Sequence, residues 1–359
     1  MHSRRNEHFI ARKFLLLTML IVFGYVVMGY TLDIVSESEE IIEDESTMEE
    51  IEYETLVAME NENQIVNWAN EDKCDIDSYQ DVINENNMYL QEKQNEIEQV
   101  GQGMAQAELE LARLSDVDYL RQNYFQCDST TSVDSSELNA DNLLGMDMSV
   151  AQSGGEPTIL IYHTHSQEGY VDSVAGDSAT TVVGVGEYLA TLLRDNYGYN
   201  VIHHEGEYDK GDRDHAYSNS LPYIEQIVKD NPSIQLVIDL HRDGVNSNTR
   251  LVTKIGDTQM AKIMFFCGLS RTTALGNIDR LPNPYIQNNL ALAFQMQVQA
   301  NQKYPGLTRR IYLKGYRYNM HICPKCMLVE VGAQTNTLQE AKNAMVPLAD
   351  VINQVISKK

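Results

Sequence analysis

Two histidines and a glutamate follow a short apolar run in the stretch HTHSQE, residues 163–168. His165 and Glu168 are three residues apart, a spacing at which an imidazole and a carboxylate can bind one zinc ion, as in zinc carboxypeptidases. His163 lies on the same face of the predicted strand as His165, so it is the alternative first ligand. The stretch therefore predicts part of a metal site, and the remaining parts must come from elsewhere in the chain.

A second cluster, DLHRDG, lies at the end of another apolar run and contains His241. Together with His165 and Glu168 it would complete a His/Glu/His set that leaves one position open. Zinc in such a set lowers the pKa of bound water to about 7. Asp239 or Asp243 could orient a ligand imidazole through a hydrogen bond.

A third candidate is Glu330, a carboxylate inside the apolar stretch MLVEV. Burying a carboxylate without a partner is costly, and a metal-bound water would be such a partner, so we expect Glu330 to be the general base. Arg242 is expected to hold a substrate carboxylate or to polarise a carbonyl. Each signal also has an ordinary explanation, because a histidine at a strand end is commonly only hydrogen-bonded and a buried glutamate commonly has a structural partner.

The elements that must position these residues begin at residue 157, where strand and helix patterns alternate. Strands are predicted at 158–163, 199–204, 234–241, 250–255, 262–268 and 326–332. Helices are predicted at 180–198, 219–231 (with Ser220 as its cap and Pro222 in its first turn) and 283–301, and from the Thr337–Glu340 capping box to about Ile356. This order predicts an α/β three-layer sandwich with a mostly parallel central sheet. Ligands in such sheets bind at the carboxyl ends of the strands, where the polar clusters lie.

The first 150 residues have a different character. They hold 32 of the 52 acidic residues and 8 of the 27 basic ones. The formal net charge of the whole chain is -25. We expect residues 1–13 to be cytoplasmic, 14–32 to form a transmembrane anchor, 33–125 an acidic, partly helical stalk, 126–156 a linker and 157–359 the catalytic domain. A cleaved signal peptide is the alternative to the anchor. No basic stripe is present, so a nucleic-acid partner is not expected.

Five cysteines give an odd count, which argues against a fold built on disulfides. Cys323 and Cys326 have the spacing of a redox pair or of half a zinc site. No second pair with this spacing is present, so the role of this pair stays open.

Several ordered blocks resemble the stage II sporulation protein P family, a family of cell-wall hydrolases in endospore-forming bacteria. The blocks are LIYHTHSQEGY, VVGVGEYLATLL, AYSNS, VIDLHRDG, KYPGLTRRIYLKG and LVEVGAQTNTLQEA, within residues 118–359. The pair of cysteines is a departure from many family members.

The resemblance implies an amidase-like fold and a zinc-dependent N-acetylmuramoyl-L-alanine amidase that is also credited with endopeptidase action on cross-links. It implies that His165, Glu168 and His241 bind the metal and that Glu330 is the base. Peptidoglycan would be the substrate, sporulation proteins D and M the partners, and the sporulation septum the location during engulfment. A non-catalytic peptidoglycan-binding scaffold and a zinc endopeptidase acting only on cross-links are the alternatives.

Overall fold

The computed structural model describes residues 112–151 and 154–357, and a seven-stranded sheet forms its centre. The strands of this sheet are Phe125–Cys127 (β1), Ile159–Tyr162 (β2), Val201–His203 (β3), Leu236–Asp243 (β4), Ile263–Gly268 (β7), Ile311–Lys314 (β10) and Lys325–Ala333 (β11). Their order across the sheet is β1-β10-β7-β11-β4-β2-β3. Two small hairpins lie outside the sheet and consist of Val252–Ile255 (β5) with Thr258–Ala261 (β6), and Arg271–Thr272 (β8) with Gly276–Asn277 (β9).

The sheet is mostly parallel, as the alternation of strands and helices predicts. Strands β11, β4, β2 and β3 run in one direction, and β7, β10 and β1 run in the other, so the only antiparallel pair in this sheet is β11 with β7. Because the carboxyl ends of β2, β4 and β11 lie at the same edge, the three polar clusters meet there.

Helices cover the sheet on both faces. The described helices of five residues or more are Val117–Asn123 (α1), Ala140–Leu144 (α2), Val182–Tyr197 (α3), Ala216–Asp230 (α4), Ile286–Lys303 (α5) and Leu338–Ile356 (α6). Helices α3, α6 and α5 pack side by side on one face. Cys267 of β7 contacts α5, whereas the neighbouring Phe266 points to the other face and packs on Tyr318, which contacts Tyr217 at the start of α4.

Helix α4 begins earlier than its sequence predicts. Ser220 is not its cap and Pro222 is not in its first turn, because the helix starts at Ala216 and both residues lie inside it. The AYSNS segment ahead of the proline continues the helix toward the site, since Ala216 and Ser220 are both buried there. The proline removes one backbone N–H donor from the helix interior.

The capping box predicted at the start of α6 is confirmed. The Thr337 side chain accepts a hydrogen bond from the backbone N–H of Glu340, and the Glu340 carboxylate accepts one from the backbone N–H of Thr337. The buried residues of α6 include Ala341, Ala344 and Leu348, which fixes this helix against the sheet.

Part of the segment expected to be stalk and linker adds elements to the domain. Strand β1 pairs with β10, and Gln295 of α5 donates hydrogen bonds to backbone carbonyls at and after the end of α2. Within 112–151 and 154–357 no helix has the length and apolar character that a membrane span requires. The predicted anchor at 14–32, the cytoplasmic residues 1–13 and most of the predicted stalk lie outside the described residues.

Candidate active site

The register of the sheet brings Glu330 and His241 together. Glu330 of β11 lies directly opposite His241 of β4, and Asp239 lies opposite Leu328 two residues before them. Residues that pair across neighbouring strands share a face, and so do residues two apart. Glu330, His241 and Asp239 therefore project from the face on which α4 begins.

His241 lies between two acidic side chains and is almost fully buried. Its Nδ1 is 3.4 Å from Glu168 Oε2, and its Nε2 is 2.8 Å from Asp239 Oδ1. Burial lowers the pKa of His241, but the attraction of Asp239 and Glu168 outweighs burial and raises it well above its ordinary value. Asp239 is itself held by the backbone N–H and hydroxyl of Thr164.

Glu168 follows β2 in a turn and is held as an ionised carboxylate. Arg213 donates a hydrogen bond of 2.7 Å to its Oε1, and the backbone N–H of Arg242 donates one of 3.1 Å to its Oε2. Burial raises the pKa of Glu168, but His241 and these donors outweigh burial and lower the pKa to about 2. The carboxylate is thus anionic and aimed at the histidine.

His165 lies in the same cluster, and His163 does not. The ring centroids of His165 and His241 are 5.4 Å apart, and His165 Nδ1 is 3.7 Å from Asp209 Oδ2. His163 points to the opposite face, where its Nδ1 is 2.8 Å from the carbonyl oxygen of Leu240. Burial lowers the pKa of His163 to about 3, so its ring is neutral.

Glu330 is the least satisfied acidic group in the cluster. Its Oε2 is buried and has no hydrogen-bond partner. Burial raises its pKa to about 8; the positive charge of His241 opposes this rise, and the negative charges of Glu168, Asp243 and Asp239 add to it. This carboxyl group therefore exchanges its proton near neutral pH.

Three buried polar atoms without hydrogen-bond partners belong to this one cluster: His165 Nδ1, His241 Nε2 and Glu330 Oε2. The close contact of His241 Nε2 with Asp239 is an ion-pair distance without the alignment of a hydrogen bond. Buried polar atoms are nearly always satisfied in folded proteins. Two imidazoles and one carboxylate, those of His165, His241 and Glu168, are a donor set that zinc prefers, so the residue types fit a zinc ion.

Arg242 and Asp243, the other side chains predicted to act at the site, are each held by a polar contact. Arg242 donates a hydrogen bond of 2.8 Å from Nε to the carbonyl oxygen of Gly169. Asp243 forms a 2.6 Å ion pair with Arg309. Of the two aspartates considered as partners for a ligand imidazole, Asp239 is the one that contacts His241.

Sequence reasoning missed three residues that complete the cluster. Asp209 and Arg213 come from the segment between β3 and α4, which has the polar composition of a solvated loop, and Tyr217 lies in the first turn of α4. Asp209 is nevertheless buried and accepts a hydrogen bond from Ser166, and the ring of Tyr217 contacts His165 at a centroid distance of 5.6 Å. The signal that could have identified this segment is its close succession of Asp, Arg and Tyr leading into a helix.

Solved structures that superpose on part of this chain include two amidases. One is N-acetylmuramoyl-L-alanine amidase AmiC2 of Nostoc punctiforme, at 14% identity, covering 56% of this chain and 97% of that chain with a TM-score of 0.33. The other is an N-acetylmuramoyl-L-alanine amidase from Clostridium difficile 630, at 14% identity, covering 56% of this chain and 95% of that chain with a TM-score of 0.33.

Among curated proteins, stage II sporulation protein P of Bacillus subtilis (strain 168) is 24% identical over 221 residues. The match covers 56% of this chain and 52% of the relative, so the chain spans about half of the length of that protein. Residues 33–353 match the family model described as Stage II sporulation protein P, and the chain therefore belongs to this family.

Proposed function

We propose that this chain is a zinc-dependent peptidoglycan hydrolase that cleaves the amide bond between the lactyl group of the glycan and L-alanine. The observation that carries the proposal is the buried Oε2 atom of Glu330, which has no hydrogen-bond partner and belongs to a residue directly opposite His241. A structural glutamate would have a partner, whereas a general base needs a free oxygen and a pKa near the working pH. Glu330 has the free oxygen, and burial raises its pKa in the zinc-free chain.

His165, Glu168 and His241 are the residues that would hold the zinc ion. When bound, zinc would supply Lewis-acid polarisation of the scissile carbonyl and acidify a water molecule. Glu168 and Asp239 keep negative charge next to His241, which favours a cation at this position. Arg213 and the backbone of Arg242 hold Glu168 in place.

Glu330 would take a proton from the attacking water and later deliver it to the leaving amine nitrogen. In the zinc-free chain burial raises the pKa of Glu330 to about 8, and the positive charge of a bound zinc ion would lower it toward the range of a general base. Arg242 is the proposed cationic group beside the tetrahedral oxyanion, and its side chain is already anchored to the carbonyl of Gly169.

The proposal that the enzyme cleaves the amide bond to L-alanine, rather than a cross-link, rests on the resemblance to the family. The same resemblance supports the remaining proposals: sporulation proteins D and M as partners, a membrane anchor at 14–32, and action at the sporulation septum. Endopeptidase activity on cross-links is the second candidate, and a non-catalytic peptidoglycan-binding scaffold is the third. The complete set of polar side chains at the site favours an enzyme over a scaffold.

The experiment is a Glu330→Gln substitution in the full-length chain. We expect the variant to retain zinc and to digest labelled sacculi at least about 100-fold more slowly, the usual effect of removing a general base. Glu225→Gln, which changes an exposed glutamate on α4, is the matched control and should keep wild-type activity. Wild-type digestion by Glu330→Gln would exclude the mechanism.

Mass spectrometry of the released fragments separates the three candidates. Free stem peptides with an L-alanine amino terminus identify an amidase, and cleaved cross-links identify an endopeptidase. Binding to sacculi without any released fragment identifies a scaffold.

A further inference from the structure

A second cluster of titratable side chains lies behind the proposed active site, at the end of β3 and in the second turn of α3. It consists of Glu187 on α3, His203 at the end of β3 and Glu205 in the segment that follows β3. Each residue offers one nitrogen or oxygen atom, and these three atoms lie within 4.8 Å of one another. The proposed function uses none of these residues.

The hydrogen bonds of a neighbouring histidine determine which nitrogen of His203 carries its proton. The carbonyl oxygen of Leu240 can only accept, so His163 Nδ1, 2.8 Å away, must donate to it. Two ring nitrogens in hydrogen-bond contact need one donor and one acceptor, and His163 Nε2 is assigned as the acceptor because the ring already carries its proton on Nδ1. His203 Nε2, 2.9 Å from His163 Nε2, must therefore be the donor of that hydrogen bond.

Because Nε2 donates, a neutral His203 carries its lone pair on Nδ1. This nitrogen faces the negatively charged carboxylates of Glu187 and Glu205. Nδ1 lies 2.8 Å from Glu187 Oε2 and 3.6 Å from Glu205 Oε1, and the His203 side chain is only 2% exposed. A lone pair facing two carboxylates in a buried position is repulsive. The repulsion is relieved by a proton shared between His203 Nδ1 and Glu187, or by a bound cation that both groups contact.

We propose that His203, Glu187 and Glu205 bind a divalent transition-metal cation of the zinc class, at a site separate from the proposed catalytic metal. Nitrogen and oxygen ligands bind zinc at about 2.0–2.2 Å, so three donors around one ion lie about 3–4 Å apart. The two distances from His203 Nδ1 are close to this range. One imidazole and two carboxylates suit zinc and similar ions, and waters would fill the remaining positions.

The surroundings hold these ligands in place. Arg194 donates a hydrogen bond of 3.0 Å to Glu187 Oε1, which leaves Oε2 directed at His203. Gly186 makes room for the two imidazoles, because a Cβ atom at this position would lie 2.6 Å from His163 Nε2 and 3.0 Å from His203 Nε2. The two carboxylates are about half exposed, so a cation can reach the site from solvent.

A cation at this position would connect helix α3 to the segment after β3, which continues to Asp209 and Arg213 beside the proposed active site. Binding to the folded state alone stabilises that state in proportion to the logarithm of the metal concentration. The expected role of the second metal is thus to stabilise the wall of the active site.

The test counts the zinc bound per chain in the full-length protein after equilibrium dialysis. We expect two equivalents in the wild type, one in His241→Ala and one in Glu205→Gln. The Glu205→Gln substitution should raise the dissociation constant of the lost equivalent at least about tenfold. Glu207→Gln is the matched control, since it lies two residues further along the same segment and pairs with Lys210 instead.

The same measurements distinguish this proposal from the proposed function. If only the second site binds zinc, the wild type holds one equivalent, which is lost in Glu205→Gln and kept in His241→Ala. Because Glu205 is exposed, its substitution does not threaten folding. If both Glu205→Gln and Glu187→Gln bind as much zinc as the wild type, the charge at His203 is a proton and the proposal is wrong.

Discussion

The raised pKa of Glu330 predicts an unusual dependence of stability on pH in the zinc-free protein. The folded state holds this carboxyl group with a pKa of about 8, against an ordinary value of 4.5. Between these values the folded chain keeps a proton that the unfolded chain releases. Stability therefore falls as the pH rises through this window, and Glu330→Gln removes that fall because glutamine does not titrate.

The magnitude follows from the two pKa values. A full change from 4.5 to about 8 corresponds to about 5 kcal/mol, at 1.36 kcal/mol for each pH unit. Between pH 5 and pH 8 the unfolded state is mostly ionised and the folded state is at most half ionised, so about 3–4 kcal/mol of this difference appears. The charges of His241, Glu168, Asp243 and Asp239 remain in both proteins, so comparing wild type with variant isolates Glu330.

The assay is urea unfolding of chelator-treated, full-length protein at pH 5 and pH 8, followed by far-UV circular dichroism. We expect Glu330→Gln to gain about 3–4 kcal/mol over the wild type on going from pH 5 to pH 8. Glu225→Gln, at an exposed position, should give the same difference from wild type at both values. If the wild type and Glu330→Gln change in parallel, the carboxyl group is not destabilised by burial and the argument for a general base loses its support.

Three further substitutions test buried contacts of the domain by urea unfolding. Gly186→Ala should destabilise the fold by about 1–3 kcal/mol, because its new Cβ atom would overlap the ring of His163; an unchanged midpoint would contradict the packing. Asn289→Ala should cost about 2–4 kcal/mol, since it leaves one buried backbone donor and one buried carbonyl unpaired, and a loss below 1 kcal/mol would refute this. Arg213→Gln removes an ion pair with Glu168, but its half-exposed side chain limits the loss to about 1 kcal/mol in zinc-free protein, so a larger loss would show that solvent screens it less than expected.

The central strands were predictable because each is a run of apolar residues of strand length. Strands β4 and β11 lie in the middle of the sheet and contain almost only buried side chains up to their polar ends. Strands β1 and β10 were not identified, because Phe125–Cys127 and Ile311–Lys314 are too short to show a period. Their pairing depends on partners far away in the sequence, which local patterns do not encode.

The choice between His163 and His165 could not be made from spacing, for a physical reason. Strand β2 ends at Tyr162, and residues 164–167 form a turn. The alternation of side chains applies only within a strand, so two histidines two residues apart need not share a face here. His163 continues the alternation toward α3, whereas His165 lies in the turn beside Glu168.

The position of Glu330 on the site face depends on the register in which β11 pairs with β4. A β-bulge interrupts this regular pairing just after Glu330. Pairing with β4 is regular from Lys325 to Glu330 and then shifts before Ala333. Gly332 provides the bulge with a φ of 63°, and a Cβ atom there would lie 2.7 Å from Asn336 Oδ1. A slip of one residue would turn the carboxylate toward the α5 face, away from His241. The chemistry therefore depends on the backbone at Gly332 as much as on the acidic side chain itself.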